Sequence, residues 1–556
     1  MRFSASSVAL LIILSLLPEP TTANEALRAA DEQRRQLERI EQTQRLRQLQ
    51  RSQPAPTPPP RPAPPLPQAQ RCLAINGLRI SGNQRLGQAP LAAAARPYLQ
   101  ACMGVAQINQ LLAALTQRYL DAGYIAARAY LAQAPSAGAS LDIRIVEGFV
   151  EAIELADPDL RVSLQSAFPD LLGAPLQLRE LERGLDQINR LRAFDVTADI
   201  EPGQLAGGSR IVVRSRQPEK LWRLSAVYDN GGRALSGRHQ GKLAVSVDSP
   251  LALNDGLVVM LGRTRGNRPS GTQSLLVHHS LPYGAWTLAS SLARSEQELH
   301  LLGGRAVAQA TTEDVGLSLS RSLWRNQNSL WNASLRLNRK SVDSALSGPA
   351  LAVQQVRSSV AEVGISVMQT LDNGLWSGYL GYARGLGAWQ ASARLSAPGA
   401  PQPRFEKYRA SVEHLHGGRV LGQPLQWHNQ LELQYSPDPL PATEQATLTS
   451  QGSVRGFRDT TLATSSAAVW RQTWRSPQAL APGLSLTPHL GFDLGWGQHT
   501  YESKTLQTRY AGSASAGASL GWLGGTLKLD YQQGLFTDAA ARPEPGFWLV
   551  ELTLQY

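Results

Sequence analysis

The sequence predicts a membrane β-barrel preceded by an N-terminal α-helix and two small α+β domains. Three observations carry that prediction. From about Lys220 onward, segments of about ten residues alternate apolar and polar side chains, with turn chemistry between them. The first residues read as an export signal, which places the mature chain beyond an inner membrane. After residue 17 no stretch is continuously apolar for the roughly 18 residues a spanning helix needs, so strands rather than helices would cross the bilayer. Alternation also explains why 42% of the 556 residues are hydrophobic and 17% charged while the mean hydropathy stays slightly negative.

Residues 1–23 form the predicted signal peptide. Arg2 supplies the positive end, Val8 to Leu17 the apolar core, and Thr21-Thr22-Ala23 the small residues before the cut. That core is short for a retained membrane anchor. Residues 24–53 are expected to be helical: from Glu25 to Gln50 the chain is built of good helix formers and contains neither Gly nor Pro. Such a helix is roughly 39 Å long, comparable to a bilayer with its headgroups. Its apolar stripe is thin, with Leu27, Leu37, Ile40, Leu46 and Leu49 set among charges of both signs. Two readings fit it: a solvated helix or weak coiled coil, and a polar plug in the aqueous lumen of a barrel, where few apolar contacts are needed.

Residues 54–70 are a proline-rich linker. Pro54 to Pro67 is an extended polyproline segment reaching roughly 40 Å, enough to run from a lumen to the periplasmic side. A docking site for a proline-recognising domain is the competing reading.

Two small mixed domains follow. In the first, residues 71–148, a strand over Cys72–Ile80 precedes an amphipathic helix over Ile108–Ala122, which Gly123-Tyr124 ends; strands over Ile125–Leu131 and Leu141–Gly148 complete it. The second, residues 149–217, has a helix containing Leu181–Leu191 and strands around Val196–Glu201 and Arg210–Arg214. Such sheets offer open edges to which an extended client can add a strand, or the domains serve as spacers. The two cysteines, Cys72 and Cys102, both fall in the first domain. Behind an export signal a disulfide is the expected state, closing a loop of roughly 30 residues and contributing on the order of 3 kcal/mol; buried free thiols are the cytosolic alternative.

The barrel is assigned to residues 218–556. Its first strands are expected at Trp222–Tyr228, Gly241–Asp248, Gly256–Thr264, Ser274–Ser280 and Trp286–Arg294, with turns at Asp229-Asn230-Gly231-Gly232 and Leu281-Pro282-Tyr283-Gly284. The closing segment, Phe547 to Tyr556, ends on an aromatic residue, as outer-membrane barrels generally do. Trp and Tyr spread along the region suit interfacial girdles. A soluble β-sandwich is the alternative, and the long array of short strands behind an export signal argues against it.

Within the barrel, a long loop near 446–465 carries Gln451-Gly452-Ser453-Val454-Arg455-Gly456-Phe457-Arg458-Asp459. It lies between two alternating segments. Leu425, Trp427, Leu431, Leu433 and Tyr435 share one face of the first; Leu484, Leu486, Leu490, Phe492, Leu494 and Trp496 share one face of the second. If these faces meet lipid, Asp493 faces the lumen. An arginine folded into that lumen can hold the carboxylate bidentately and lock the loop to the wall, with Gly456 allowing a tight turn after Arg455. From these residues alone, an ordinary exposed Arg-Gly in a surface loop fits equally well.

The Val454-Arg455-Gly456-Phe457 stretch resembles the signature of the sixth extracellular loop in the superfamily of outer-membrane assembly and secretion barrels with periplasmic POTRA domains. The resemblance implies that the loop folds back into the barrel and that Arg455 meets an acidic residue of an inward-facing motif, which Asp493 and Gly495 match. The aromatic usual two positions before the aspartate is Gly491 here, a departure from the pattern. The stretch around Asn109, Leu115-Thr116, Tyr119 and Gly123-Tyr124-Ile125 resembles the first POTRA domain of the two-partner secretion transporters, or TpsB family, of haemolysin secretion/activation (ShlB/FhaC/HecB) type. Helix, proline linker, two POTRA modules and barrel follow in that family's order.

What this resemblance implies is a sixteen-stranded barrel in the bacterial outer membrane, with the POTRA domains in the periplasm and the N-terminal helix as a plug. Its task would be type V, two-partner secretion: the N-terminal secretion domain of a large exoprotein is bound in the periplasm, and the unfolded chain passes through the barrel. The partner would be an adhesin, a haemolysin or a contact-dependent toxin. Outer-membrane lipid and the barrel assembly machinery that inserts it are further implied partners. The rival is an outer-membrane protein insertase, which would usually need more POTRA modules; a passive porin is a third reading.

Other chemistry finds no support. Gly517-Ala518-Ser519-Leu520-Gly521 matches a nucleophile elbow, but that motif needs a strand, a sharp turn and a helix, whereas Ala511–Trp522 reads as one barrel strand. No metal-ligand spacing, phosphate-binding loop or dinucleotide fingerprint occurs, so neither an enzyme nor a cofactor is expected. The net charge of +11 is scattered and accompanies no nucleic-acid motif, so no nucleic acid is expected as a partner.

Overall fold

The computed structural model describes residues 21–51, 72–217, 219–265, 270–301, 306–347, 352–387, 392–393, 403–500, 506–539 and 542–556. Residues 1–20 of the expected signal peptide and the whole of the 54–70 linker lie outside them.

Helix α1 spans Thr21–Arg51. The first small domain contains β1 (Leu73–Ser81), α2 (Gln88–Ala95), β2 (Cys102–Met103), α3 (Val105–Asp121), β3 (Arg128–Leu131) and β4 (Ala139–Val146), with its sheet in the order β2-β1-β4-β3. Leu111, Leu115 and Tyr119, at helical spacing on α3, are fully buried against Ile143 and Leu141 of β4. The helix stops where Gly123 adopts φ 89° and its N–H bonds the Leu120 carbonyl at 2.8 Å, while the N–H of Tyr124 bonds the Tyr119 carbonyl at 2.9 Å. The Tyr119 hydroxyl donates to Glu147 at 2.9 Å; burial, with that carboxylate beside it, holds the phenol protonated well above its ordinary range. Cys72 and Cys102 are joined as a disulfide with Cα atoms 5.4 Å apart, tying the start of β1 to β2.

The strand expected from Ile125 begins only at Arg128. Residues Tyr124 to Ala127 form a turn instead, with Ala127 N–H on the Tyr124 carbonyl, because Ile125 and Ala126 pack on the core of the second domain. That domain comprises β5 (Phe149–Leu155), α4 (Leu164–Ala167), α5 (Leu178–Asn189), β6 (Val196–Pro202) and β7 (Gly208–Ser215), with the sheet order β5-β7-β6. β6 is thus an edge strand.

Among the described residues, sixteen antiparallel strands close a barrel. They are β8 (Trp222–Asp229), β9 (His239–Asp248), β10 (Gly256–Arg265), β11 (Gly271–Tyr283), β12 (Trp286–Leu301), β13 (Ala306–Arg325), β14 (Ser329–Ser347), β15 (Ala352–Leu371), β16 (Gly374–Leu386), β17 (Glu406–Val420), β18 (Gln423–Tyr435), β19 (Ser466–Arg475), β20 (Leu484–Thr500), β21 (Leu506–Trp522), β22 (Gly525–Thr537) and β23 (Phe547–Gln555). The burial pattern is inverted relative to a soluble sheet: Leu317, Val363, Leu380, Leu490 and Trp548 face outward and exposed, while Lys340, Glu362, Asp493 and Asp530 are buried inside. At the end nearer the small domains, Trp222 and Tyr556 pair with ring centroids 5.6 Å apart, and Lys220 lies 4.1 Å over Tyr556.

Several strands run well past the expected segments, and one expected turn moves. Leu281 to Tyr283 stay in β11, and the turn is Gly284-Ala285, with Tyr283 opposite Trp286. Gly284 supplies φ 53° for this two-residue turn. Pro282 is tolerated because pairing with β10 ends at Ser280, so no neighbour needs its missing N–H.

The closing joint between β23 and β8 is short. It has five paired positions, Glu551 with Asp229 to Gln555 with Ser225, against eighteen between β13 and β14. Beyond it, the Asn230 carboxamide stands in for backbone: its Nδ2 donates to the Trp548 carbonyl at 3.0 Å and its Oδ1 accepts from Val550 N–H at 2.8 Å.

The second small domain is docked on the turns at one end of the barrel. Ser166 Oγ donates to the Pro282 carbonyl at 2.7 Å, Gln187 Nε2 to the Gly284 carbonyl at 2.9 Å, and Arg325 Nε to Asp186 at 2.6 Å. Between β9 and β10, Ser249, Ala252 and Asn254 all adopt positive φ, near 53°, 57° and 59°. The Asn254 side chain exchanges two hydrogen bonds with the Ser163 backbone, at 3.0 and 2.7 Å.

Candidate functional site in the barrel lumen

The segment between β18 and β19 folds into the barrel. A short ladder pairs Ala446-Thr447 with Ala463-Thr464, and beyond it the chain turns so that Val454 N–H bonds the Leu448 carbonyl at 2.9 Å. Leu448, Val454, Phe457 and Leu462 are buried with Ala467, Val469 and Ala511 of the wall, which makes the loop's core apolar although the lumen around it is polar.

Arg455 and Asp493 meet in this setting. Arg455 Nε donates to Oδ2 and Nη2 to Oδ1, each at 2.7 Å, and the Arg455 backbone N–H donates to Oδ2 at 3.0 Å. The two side chains are 6% and 1% exposed, so this is a buried, bidentate pair. Arg455 Nη2 also reaches the Gln472 carbonyl at 3.2 Å, and Ser513 Oγ donates to Asp493 at 3.3 Å.

Glycines make the room for it. A Cβ on Gly491 would stand 2.4 Å from Arg455 Nη2, so the departure from an aromatic at this position is the space the guanidinium occupies. A Cβ on Gly495 would stand 2.7 Å from Val454 Cγ2. Gly456 has φ 81° and lies so close to the Gln533–Gly534 backbone that no side chain fits. Each residue of the Val454–Phe457 tip therefore sits against wall backbone or a wall glycine.

Sequence reasoning missed two further anchors of this loop. Glu444, at its foot, lies between Lys340 Nζ at 2.9 Å and Lys407 Nζ at 2.7 Å, from β14 and β17. Glu544, between β22 and β23, accepts the backbone N–H groups of Arg458 at 2.8 Å and Asp459 at 2.9 Å, and that of Thr460. On the other side, Asp459 accepts the Ala234 N–H at 2.9 Å and its carbonyl accepts from Arg233.

Helix α1 lies in the lumen beside the loop. Its contacts with the wall are polar almost throughout: Arg35 with Glu432 at 3.0 Å, Lys242 with Glu32 at 2.9 Å, Arg336 with Glu41 at 2.9 Å, Arg409 with Glu38, and Gln42 with Glu413. Arg35 also donates to the Gly452 carbonyl of the loop at 2.7 Å. Among the described residues, Leu49 makes an apolar contact, buried with Leu330 and Met368 near the docked domain with Leu46 packed beside it. Beside the helix a cavity of about 580 Å³ remains, lined by Arg39, Arg263, Arg475 and Lys528 among others. An element held by ion pairs in a wet lumen can leave without exposing a core, since water replaces each contact at modest cost.

The Gly517–Gly521 stretch lies within β21, paired on both sides, and the chain turns after Trp522 directly into strand β22. The nucleophile elbow is thereby excluded.

This architecture has known counterparts. The family model for haemolysin secretion/activation protein ShlB/FhaC/HecB matches residues 207–524, more than half of the chain. The chain belongs to that family. As a two-partner secretion transporter of the bacterial outer membrane it is not an enzyme, and its small domains match a ShlB-type POTRA domain over residues 73–148 and a POTRA domain over 149–202. It is 31% identical over 484 residues to the hemolysin transporter protein ShlB of Serratia marcescens, covering 86% of this chain and 85% of that one. With the outer membrane transporter CdiB-2 of Burkholderia pseudomallei it shares 27% identity over 469 residues, 83% of this chain and 78% of that one. The solved structure of CdiB from Escherichia coli superposes with TM-score 0.81 at 25% identity, covering 95% of this transporter and 98% of that chain.

Proposed function

We propose that this transporter binds the N-terminal secretion domain of a large exoprotein at its POTRA domains and passes the unfolded chain through the barrel once α1 has vacated the lumen. The reading rests above all on the way α1 is seated: a helix about as long as the membrane is thick, held inside the barrel by ion pairs rather than by a core. On this reading residues 1–23 direct export, residues 24–53 are the plug, residues 54–70 tether the plug as it moves, residues 71–148 and 149–217 are the client-binding POTRA domains, and residues 218–556 are the conduit. The exoprotein is of the haemolysin or contact-dependent toxin class or an adhesin; the similarity to the hemolysin transporter protein ShlB supports the first. Arg455 and Asp493, with Val454, Gly456, Phe457 and Gly495 around them, hold the lumen loop in the transport-competent position. The edge strand β6 of the second POTRA domain offers a backbone ladder for an extended client. The barrel assembly machinery inserts the protein into lipid, and no cofactor takes part.

The test is surface secretion of an exoprotein carrying its N-terminal secretion domain, comparing the intact transporter with Arg455→Ala at matched barrel levels. Loss of secretion with an assembled barrel supports the loop assignment. Unchanged secretion removes it. Failure of other barrels to assemble without this protein, and no export of any partner, would establish the insertase reading in its place.

A further inference from the structure

Arg190 is a fully buried arginine at which the second POTRA domain, the barrel and the plug helix meet. It follows the last residue of α5, and its backbone N–H closes the helix on the Asp186 carbonyl at 2.9 Å. Its side chain leaves the domain. Nη2 donates to the Asn254 carbonyl at 2.7 Å, in the positive-φ turn between β9 and β10, and to the Ser280 carbonyl at 3.2 Å. Nη1 donates to Ser280 Oγ at 2.9 Å and to Gln44 Oε1 of α1 at 3.2 Å.

We infer that Arg190 is a positioning residue through which the second POTRA domain controls how firmly the plug helix is held. The inference rests on the reading that α1 leaves the lumen during transport. Three of the four acceptors of the guanidinium belong to the barrel, so the group stays paired when α1 departs and is not stranded as a buried charge. The fourth belongs to the plug, so a small rotation of α5 is enough to withdraw the contact from Gln44. α5 is also the helix whose Asp186 and Gln187 dock on the barrel turns, and its first residue bonds the Gly123 carbonyl of the first POTRA domain at 2.8 Å. Force from a client on either POTRA domain therefore reaches Gln44 through one rigid element. The geometry is that of a catch with a modest hold, suited to release on demand.

The experiment uses the full-length protein in planar lipid bilayers, with potassium chloride current as the readout of the open fraction. Gln44→Ala removes only the plug side of the contact and Arg190→Met the domain side. Each is expected to raise the open fraction about tenfold, as loss of one hydrogen bond to a charged group implies, and the double variant is expected to match the single ones. A merely structural Arg190 would lower thermal stability but would not make its effect on current vanish in the Gln44→Ala background. Gln44→Glu, which places a carboxylate against the guanidinium, is expected to lower the open fraction, and it decides the matter if Arg190→Met does not assemble. Single variants indistinguishable from the intact protein, or effects that multiply in the double variant, overturn the inference. A cross-link between Gln42→Cys and Ser377→Cys separates the two levels. If the cross-linked protein still secretes, the plug reading itself fails; if it does not, while Gln44→Ala leaves the current unchanged, only the role of Arg190 is lost.

Discussion

Arg35 of the plug helix and Arg471 of the barrel wall donate to the same oxygen, the carbonyl of Gly452 at the tip of the lumen loop, at 2.7 and 3.1 Å. The loop is therefore bonded to the helix and to the wall at a single atom. On the proposed reading, in which the helix leaves the lumen, the Gly452 carbonyl would stay paired with Arg471 and the loop tip would keep its place.

Arg35→Ala is expected to raise the resting conductance several-fold, because it removes the contacts to both Gly452 and Glu432, each worth about 1 kcal/mol in a wet lumen. The Arg455–Asp493 pair does not touch Arg35 and survives. Single-channel recording checks the prediction; a conductance equal to that of the intact protein contradicts it.

Asp493→Asn leaves Arg455 buried without its bidentate partner, and Arg455→Ala leaves the buried Asp493 with only Arg471 Nε, at 3.8 Å; each is expected to cost about 3–5 kcal/mol of barrel stability. Removing both charges together, as Arg455→Met with Asp493→Leu, is expected to cost less than either single change. The midpoint of heat-induced unfolding, followed by the electrophoretic shift of the barrel, measures the difference. Additive losses would show that the two residues do not act as a pair.

Gly491→Ala places a methyl group 2.4 Å from Arg455 Nη2, so the guanidinium must leave its bidentate position or the strand must shift. Secretion is expected to fall as it does for Arg455→Ala, although no charge has changed. Gly483→Ala, at a turn with open space around it but φ 74°, should affect stability slightly and secretion not at all. Equal behaviour of the two variants would count against the space argument.

Glu444→Gln leaves Lys340 and Lys407 facing each other at the foot of the loop without a carboxylate. The expected outcome is faster cleavage of the 436–465 segment by protease added outside the cell, with the Arg455 end still attached. Unaltered cleavage would mean that the foot is held by other contacts.

Replacing both Cys72 and Cys102 with Ser is expected to cost the first POTRA domain on the order of 3 kcal/mol. Limited proteolysis of the full-length protein should then cut within residues 72–148 first, leaving the barrel intact. A digestion pattern unchanged from the intact protein would show that the bridge is dispensable.

The parts of this design that were legible in the sequence are those with a local period. Asp493 could be assigned to the lumen from the alternation of Leu490, Phe492 and Leu494, and α3 from the spacing of Leu111, Leu115 and Tyr119. Glu444 could not be matched to Lys340 and Lys407, because strands β14 and β17 are far apart in sequence and only the curvature of the barrel aims their side chains at one point. Arg190 was hidden for a similar reason: it stands in an ordinary helix terminus, and its acceptors lie on two other bodies. The residues from Ile125 to Ala127 misled because an apolar run that could be a strand instead serves as the contact between two domains.

The tip of the lumen loop binds both ends of the barrel sequence at once. Asp459 is tied to Ala234 and Arg233, just after the first strand, while the N–H groups of Arg458 to Thr460 are tied to Glu544, just before the last. Those two strands share a ladder of only five positions. The Glu544 and Ala234 contacts are the ones that need both strands in place, since only a closed barrel brings residues 234 and 544 to the same loop. Besides its own anchor on Asp493, the loop thus bridges the seam of the cylinder, adding hydrogen bonds from one side chain on each flank where the backbone ladder is short.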